Sequence, residues 1–230
     1  MNKKLQTNKL KQCLPNPDKD SHVILICGRR GSGKTTLAIR MLLTPKTRGG
    51  YRNVFDKVVL ISQTAKLSGQ WDVFDQDVWQ VYDEYNPQII TDVMNTQSEQ
   101  TEDRDRVLII LDDMSSKTRK AVKSTQVDPL DTLACNGRHL GISVWFLCQV
   151  YTQTSTSLRS NADLLINFAC HSLRDMLALY NECGGCIKYK DFRQRVASVT
   201  DKKYHFIAIR NVGGTLRYYH KGDKYNVNYK

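Results

Sequence analysis

The sequence lacks both the long apolar runs and the leader segment that would place it in or across a membrane. No apolar stretch approaches the roughly 20 residues of a membrane-spanning helix, and Met1-Asn-Lys-Lys is followed by polar residues rather than by a signal-peptide core. Neither an internal repeat nor a low-complexity segment is present. We therefore expect a soluble, intracellular protein with no membrane span.

A disulfide framework is also missing. The seven cysteines are odd in number and spread from position 13 to position 186, a pattern that does not indicate a disulfide framework in a chain of this size. Metal-ligand spacing occurs once, in Cys183-Gly-Gly-Cys186, with Cys170 and His171 as conceivable further zinc ligands. A Gly-Gly turn between helices, flanked by reduced thiols, is the favoured interpretation, and a zinc or redox site is the alternative.

Acidic residues are in deficit. The chain has 34 Lys and Arg against 23 Asp and Glu, a formal net charge of +11 over 230 residues. This surplus favours a polyanionic partner, nucleic acid first and an anionic membrane surface second, with improved solubility alone as the alternative. The polar residues 1–20 predict a flexible basic arm. Residues 21–230 predict a single domain, in which residues 170–230 form helices and a hairpin of unassigned role.

What the sequence does contain is a complete phosphate-binding loop. Its glycines allow backbone N–H groups to wrap the phosphates, while a Lys reaches the outermost ones and a Thr hydroxyl binds Mg²⁺. An apolar strand-like run precedes the loop, and a helix-like run follows it. An accidental glycine-rich turn is the alternative that this context disfavours. The residues expected to hold the nucleotide are Gly28, Arg29, Arg30, Gly31, Ser32, Gly33, Lys34, Thr35 and Thr36.

The apolar pattern predicts an α/β fold. Strand-like runs alternate with helical segments, which implies a mostly parallel sheet flanked by helices and extended at one edge by a C-terminal β-hairpin. The predicted strands cover 22–27, 57–62, 78–82, 107–111, 142–148 and 164–168, the helices cover 36–43, 87–95, 117–138 and 172–182, and the hairpin covers 204–209 and 216–219.

Polar residues at strand ends supply the chemistry of hydrolysis. Asp112 and Asp113 follow the most apolar strand, so Asp112 is expected to hold Mg²⁺ with Thr35 and Asp113 to activate water. Two solvated loop acids are the alternative. Gln149, the first polar residue after another strand, is a candidate sensor of the γ-phosphate, or else an ordinary hydrogen-bonding loop residue.

Two arginines are candidates for stabilising the charge of the transferring phosphoryl group. Arg138 precedes one strand and Arg159 precedes the next. Either could instead be an ordinary surface arginine. An arginine that acts on a neighbouring molecule would require an oligomer.

The order of these blocks resembles the DNA-packaging ATPases of poxviruses, other nucleocytoplasmic large DNA viruses and virophages, within the FtsK/HerA superfamily. The resemblance covers residues 22–170, and its most specific part is Asn136-Gly-Arg-His-Leu-Gly-Ile-Ser143 leading into Leu147-Cys-Gln149. It implies a RecA-like P-loop NTPase and a homo-oligomeric ring, a pentamer or hexamer. Such a ring would use ATP and Mg²⁺ to move double-stranded DNA into a preformed capsid and would contact capsid proteins.

The resemblance also ranks residues and locations. It favours Arg138 over Arg159 as the residue that acts in the neighbouring subunit, and it places the protein in the host cytoplasm or viral factory, or in the virion. Much of the superfamily carries Glu where this chain has Asp113. After residue 170 there is no cluster of carboxylates, so a nuclease is not expected.

Two other functions fit a P-loop chain. A small P-loop kinase would act as a monomer or dimer on a small acceptor, and a nucleotide-gated assembly scaffold would bind ATP with little turnover. The sequence has no guanine-reading Asn-Lys-x-Asp signature, which together with the resemblance favours ATP over GTP.

Overall fold

The computed structural model describes residues 13–16, 21–74, 77–113, 127–170, 172–185, 187–212 and 215–220. An eight-stranded sheet runs through these residues. Its strands are β1 (Val23–Cys27), β2 (Lys57–Ser62), β3 (Trp79–Tyr82), β4 (Val107–Asp112), β5 (Ile142–Cys148), β6 (Leu164–Phe168), β7 (Phe206–Val212) and β8 (Thr215–His220).

Helices connect most of the strands. They are α1 (Lys34–Leu43), α2 (Ala65–Ser68), α3 (Pro87–Glu99), α4 (Pro129–Asn136), α5 (Thr156–Ser160), α6 (Leu173–Cys183) and α7 (Tyr189–Val199). Local chemistry sets several of their starts, because Asn86 and Asp128 each accept a hydrogen bond from a first-turn N–H and each is followed by Pro at the first helical position. Among the described helices, none is long and apolar enough to cross a membrane.

The sheet order is β3-β2-β4-β5-β1-β6-β7-β8. The six strands from β3 to β6 are parallel, whereas β7 pairs antiparallel with β6, and β8 with β7. Every residue of β1, β5 and β6 is buried, as expected when helices cover both faces of a parallel sheet. The predicted α/β architecture, with a mostly parallel sheet and a C-terminal hairpin at its edge, is confirmed.

Three details differ from the sequence prediction. The helix α7 was not predicted, because only Phe192 and Val196 are buried along its 11 residues. The helix predicted over 117–138 is observed only as α4, since residues 114–126 lie outside the described part of the chain. Within the predicted flexible arm, Cys13 and Leu14 are buried in the core. The rest of the arm that was predicted lies outside the described residues, apart from 15 and 16.

The Gly-Gly segment connects two helices. α6 ends at Cys183 and α7 begins at Tyr189, and Gly185 adopts a positive φ of 59° in the turn between them. Cys186 and His171 lie outside the described residues. In the remainder, no group of three or more His, Cys, Asp or Glu side chains is arranged to hold a metal ion.

Candidate nucleotide-binding site

The phosphate-binding loop begins where β1 ends, at the carboxyl edge of the parallel sheet. Gly28 N donates a 3.0 Å hydrogen bond to the carbonyl of Cys148, which fixes the start of the loop to the end of β5. A Cβ on Gly28 would lie 2.6 Å from Ser32 Oγ and 2.8 Å from Phe168 Cβ, so a larger residue does not fit. Gly33 caps α1 with a φ of 98°, a conformation that glycine adopts without strain.

Two side chains of this loop are suited to phosphate oxygens. Lys34 is buried, and its ammonium donates to the carbonyls of Gly28 at 2.8 Å and Arg29 at 3.3 Å. The hydroxyl oxygen of Ser32 is buried and has no hydrogen-bond partner within the described residues. A buried hydroxyl without a partner is costly, so this group fits a phosphate oxygen. Arg29, Arg30 and Thr36 are exposed around the loop.

Thr35 and Asp112 meet at the same edge. Thr35 Oγ1 donates to Asp112 Oδ2 over 3.1 Å, which places a hydroxyl and a carboxylate side by side. Such oxygen ligands are the kind that Mg²⁺ prefers. The two residues therefore fit a magnesium ion bound together with the phosphates.

Trp71 also contacts the Thr35–Asp112 pair, and the sequence did not reveal this residue. Its Nε1 donates to Asp112 Oδ2 over 3.2 Å, and the indole is buried. Burial raises the pKa of Asp112 above its usual value, whereas the hydrogen bonds from Thr35 and Trp71 and the charge of Lys34 oppose that rise. Trp71 keeps the carboxylate oriented. No motif marks it, since it lies in a loop 41 residues upstream of Asp112.

Asp113 and Gln149 form a second polar pair. Gln149 Nε2 donates to Asp113 Oδ1 over 2.6 Å. Asp113 has a φ of 62°, which is unusual for a residue with a side chain, and its N–H donates to the carbonyl of Leu147 over 3.1 Å. Strained residues of this kind are concentrated at functional sites, where the surrounding structure holds them. The strand ends of β4 and β5 thus bring an acid and an amide together.

Arg138 lies at the opposite, amino-terminal edge of the sheet. Its guanidinium pairs with Asp163 Oδ1 at 2.6 Å, while Asp163 Oδ2 accepts a hydrogen bond from Val23 N, the first residue of β1. The seven residues of β5 correspond to about 20 Å of strand, which separates this edge from the loop. Arg138 does not join the phosphate loop of its own chain, and its side chain is 48% exposed.

Arg159 is held inside its own chain. Its Nε donates to Glu182 Oε1 over 2.9 Å, its Nη1 donates to the carbonyl of Thr154, and its guanidinium carbon lies 5.3 Å from the centre of the Tyr151 ring. Only 12% of the side chain is exposed. These contacts tie α5 to α6 and leave little of the guanidinium available to another molecule.

Comparison with known proteins identifies similar chains. The family model described as poxvirus A32 protein matches residues 16–183. The uncharacterized protein 088R of Invertebrate iridescent virus 3 is 25% identical over 199 residues, which cover 86% of this chain and 72% of that protein.

Solved structures share the fold. The genome packaging NTPase B204 of Sulfolobus turreted icosahedral virus 2, in complex with AMPPCP, matches with a TM-score of 0.62 and 16% identity, over 89% of this chain and 98% of that one. The pCW3 conjugation coupling protein TcpA, with ATPγS, matches with a TM-score of 0.56 and 13% identity, over 86% of this chain and 60% of that one.

Proposed function

Because the chain belongs to the poxvirus A32 protein family, we propose that it works as a ring-shaped motor that drives double-stranded DNA into a viral capsid. The family resemblance seen in the sequence is confirmed, and the protein is a viral DNA-packaging ATPase that uses ATP and Mg²⁺. The observation that carries the proposal is the meeting of Lys34, the Thr35–Asp112 pair and the Asp113–Gln149 pair at one edge of the sheet.

The loop residues hold the triphosphate. The first N–H groups of α1 follow Gly33 directly, and the helix dipole favours negative charge at this end. Lys34 supplies a buried cation, and the hydroxyl of Ser32 supplies a donor. Thr35 and Asp112 would hold Mg²⁺, which would supply positive charge to the outer phosphate oxygens.

Asp113 accepts the proton of the attacking water. The amide of Gln149 holds the Asp113 carboxylate over the end of β5, so the acid keeps one orientation before water arrives. Gln149 has a second polar atom, its carbonyl oxygen, that can bind the same water. The pair thus orients the nucleophile and registers the presence of the γ-phosphate.

Arg138 acts in the site of the adjacent subunit. Its position at the edge away from its own loop supports this role, because the side chain is 48% exposed and accessible to another molecule although it pairs with Asp163. Arg159 is committed to Glu182 and Thr154, which supports a structural role for it. A ring of identical subunits with head-to-tail contacts provides one such arginine for each nucleotide.

The partners follow from the charge and the family. The net charge of +11 supports binding to the DNA backbone. A ring of five or six subunits that docks on capsid proteins completes the proposal. The kinase alternative is not favoured, because the chain belongs to the poxvirus A32 protein family and shares its fold with a structure described as a genome packaging NTPase.

Measuring ATP turnover tests the function. The full chain is assayed with and without long double-stranded DNA at low and high salt, and its mass is determined under native conditions with a slowly hydrolysed ATP analogue. We expect DNA to stimulate turnover, salt to weaken the stimulation, and the mass to match a ring.

Variants make the test specific. Lys34→Ala and Asp113→Asn abolish turnover, whereas Lys66→Ala, which removes an exposed ion pair with Asp83, leaves it unchanged. Turnover that survives the first two substitutions would contradict the assignment. Nucleotide binding without turnover in the unaltered chain would favour the scaffold alternative.

A further inference from the structure

Tyr204 lies against the phosphate loop although it is 170 residues away from Lys34 in sequence. It precedes β7, and Phe206 at the start of β7 is the register partner of Phe168 at the end of β6. Because β7 runs antiparallel to β6, the start of β7 lies at the edge of the sheet where the phosphate loop begins. A Cβ placed on Gly33 would be 3.1 Å from Cδ1 of the Tyr204 ring, so the ring lies directly over the loop.

The position of this tyrosine is unusual in two ways. Its φ is 66°, a conformation that side-chain-bearing residues rarely adopt, and 49% of the residue is exposed. A large aromatic side chain in water on a strained backbone gains little for folding. Both features are expected of a residue whose ring is presented to a ligand.

The order of strands places Tyr204 on the nucleoside side of the site. The acids and Gln149 end β4 and β5, which lie on one side of β1, and they handle the terminal phosphate and Mg²⁺. The phosphate chain crosses the loop at the end of β1. Its other end, which carries the sugar and base, therefore emerges toward β6 and β7, where Tyr204 is found.

The neighbouring residue adds a cation at the same place. The ammonium of Lys203 lies 4.9 Å from the centre of the Tyr204 ring. Such contacts are weak at exposed positions, and a lysine side chain is flexible. A planar base can therefore take the place of the ammonium on the ring, while the charge stays close to the phosphates.

We propose that Tyr204 forms the base-binding surface of the nucleotide site, where its ring stacks on the purine of ATP, and that Lys203 supplies positive charge beside it. This inference rests on the ATPase function proposed above. Stacking on a ring favours the larger purines over pyrimidines and carries little hydrogen-bond selectivity. The site is thus built for a purine nucleoside triphosphate, with the phosphates bound by the loop and the base by the turn before β7.

Titrations with and without a base separate this role from support of the loop. Dissociation constants are measured for ATP, for CTP and for inorganic tripolyphosphate, which has the phosphates but no base. Tyr204→Ala is expected to weaken ATP binding about tenfold and to reduce the preference for ATP over CTP. Tripolyphosphate binding stays unchanged, and Tyr204→Phe, which keeps the ring, binds ATP as the unaltered chain does.

Two further variants guard the conclusion. Tyr204→Gly accepts the positive φ without strain, so it repeats the measurement if the alanine variant folds poorly. Tyr82→Ala removes a similarly exposed tyrosine from β3, at the far end of the sheet, and leaves all three constants unchanged.

Unchanged ATP binding in the alanine and glycine variants would overturn the proposal, as would equal weakening of ATP and tripolyphosphate. The titrations require no turnover. A chain that binds ATP through Tyr204 but does not hydrolyse it would contradict the motor function and leave the base site standing. Hydrolysis combined with unchanged ATP binding in the Tyr204 variants would contradict the base site alone.

Discussion

Arg138 and Arg159 each precede a strand in the sequence, yet the structure predicts opposite consequences for their removal. Arg138→Ala loses one partly exposed ion pair, worth about 0–1 kcal/mol of stability. Its partner Asp163 keeps the hydrogen bond from Val23 N. If Arg138 stabilises the transition state in a neighbouring site, kcat falls by about a thousandfold or more while the melting temperature hardly changes.

Arg159→Ala is the matched comparison. It leaves the carboxylate of Glu182 and the carbonyl of Thr154 without their cation, which costs on the order of 2 kcal/mol. The melting temperature falls by several degrees, and the protein that remains folded keeps most of its kcat. Thermal melts and steady-state kinetics on the two variants measure both quantities.

Mixing subunits tests whether Arg138 acts across an interface. Rings of Arg138→Ala alone, or of Lys34→Ala alone, are inactive. In a one-to-one mixture, the two subunit types are distributed at random around a head-to-tail ring. A site that combines an intact Lys34 with a neighbour's intact Arg138 then arises at about a quarter of the interfaces. Activity should then recover toward about a quarter of the unaltered rate. A mixture no more active than its two components would refute the reasoning, as would full activity of Arg138→Ala.

Three further predictions concern single side chains. Trp71→Phe removes the N–H that orients Asp112, so the Mg²⁺ concentration for half-maximal ATPase rises about tenfold; Trp79→Phe, which alters only a packed ring, is the control. Gln149→Ala lowers kcat about a hundredfold with little change in KM, since the amide acts on the nucleophile rather than on nucleotide binding; an unaltered kcat would exclude the role. Burial raises the pKa of the Asp163 carboxyl above its ordinary value of 3.8, although the Val23 N–H and the Arg138 charge oppose the rise. The native state therefore loses stability relative to the unfolded chain as pH rises from 3.8 through this raised pKa. Asp163→Asn cannot ionise, and urea denaturation between about pH 3 and 7 should show its unfolding free energy gaining on that of the unaltered chain as pH rises.

The sequence predicted the part of the site that local spacing determines. Gly28 to Thr35 must form a tight loop between a strand and a helix to bind phosphates, so the motif carries its own geometry. Asp113 and Gln149 could be placed together because the carboxyl ends of neighbouring parallel strands meet at one edge. Their hydrogen bond follows from that topology.

Residues outside these rules could not be found in the sequence. Trp71 and Tyr204 lie in loops, where no periodicity marks a side chain, and only the folded chain brings them to Asp112 and Gly33. The helix α7 has two buried residues at i and i+4, too few to give a clear apolar stripe. The buried positions of Cys13 and Leu14 were hidden for the same reason, since a short segment has no period at all.

The strand β1 connects the Asp163–Arg138 ion pair at one edge of the sheet to the phosphate loop at the other. At its amino end, Asp163 accepts a hydrogen bond from Val23 N and pairs with Arg138. At its carboxyl end, about 13 Å away, Cys27 leads into the phosphate loop. Because β1 is hydrogen-bonded to β5 and to β6, it is stiff along its length, and a displacement of Asp163 can be transmitted to the phosphate loop. If Arg138 engages a neighbouring subunit as proposed, a movement of Asp163 can reach the phosphate loop through the five residues of β1.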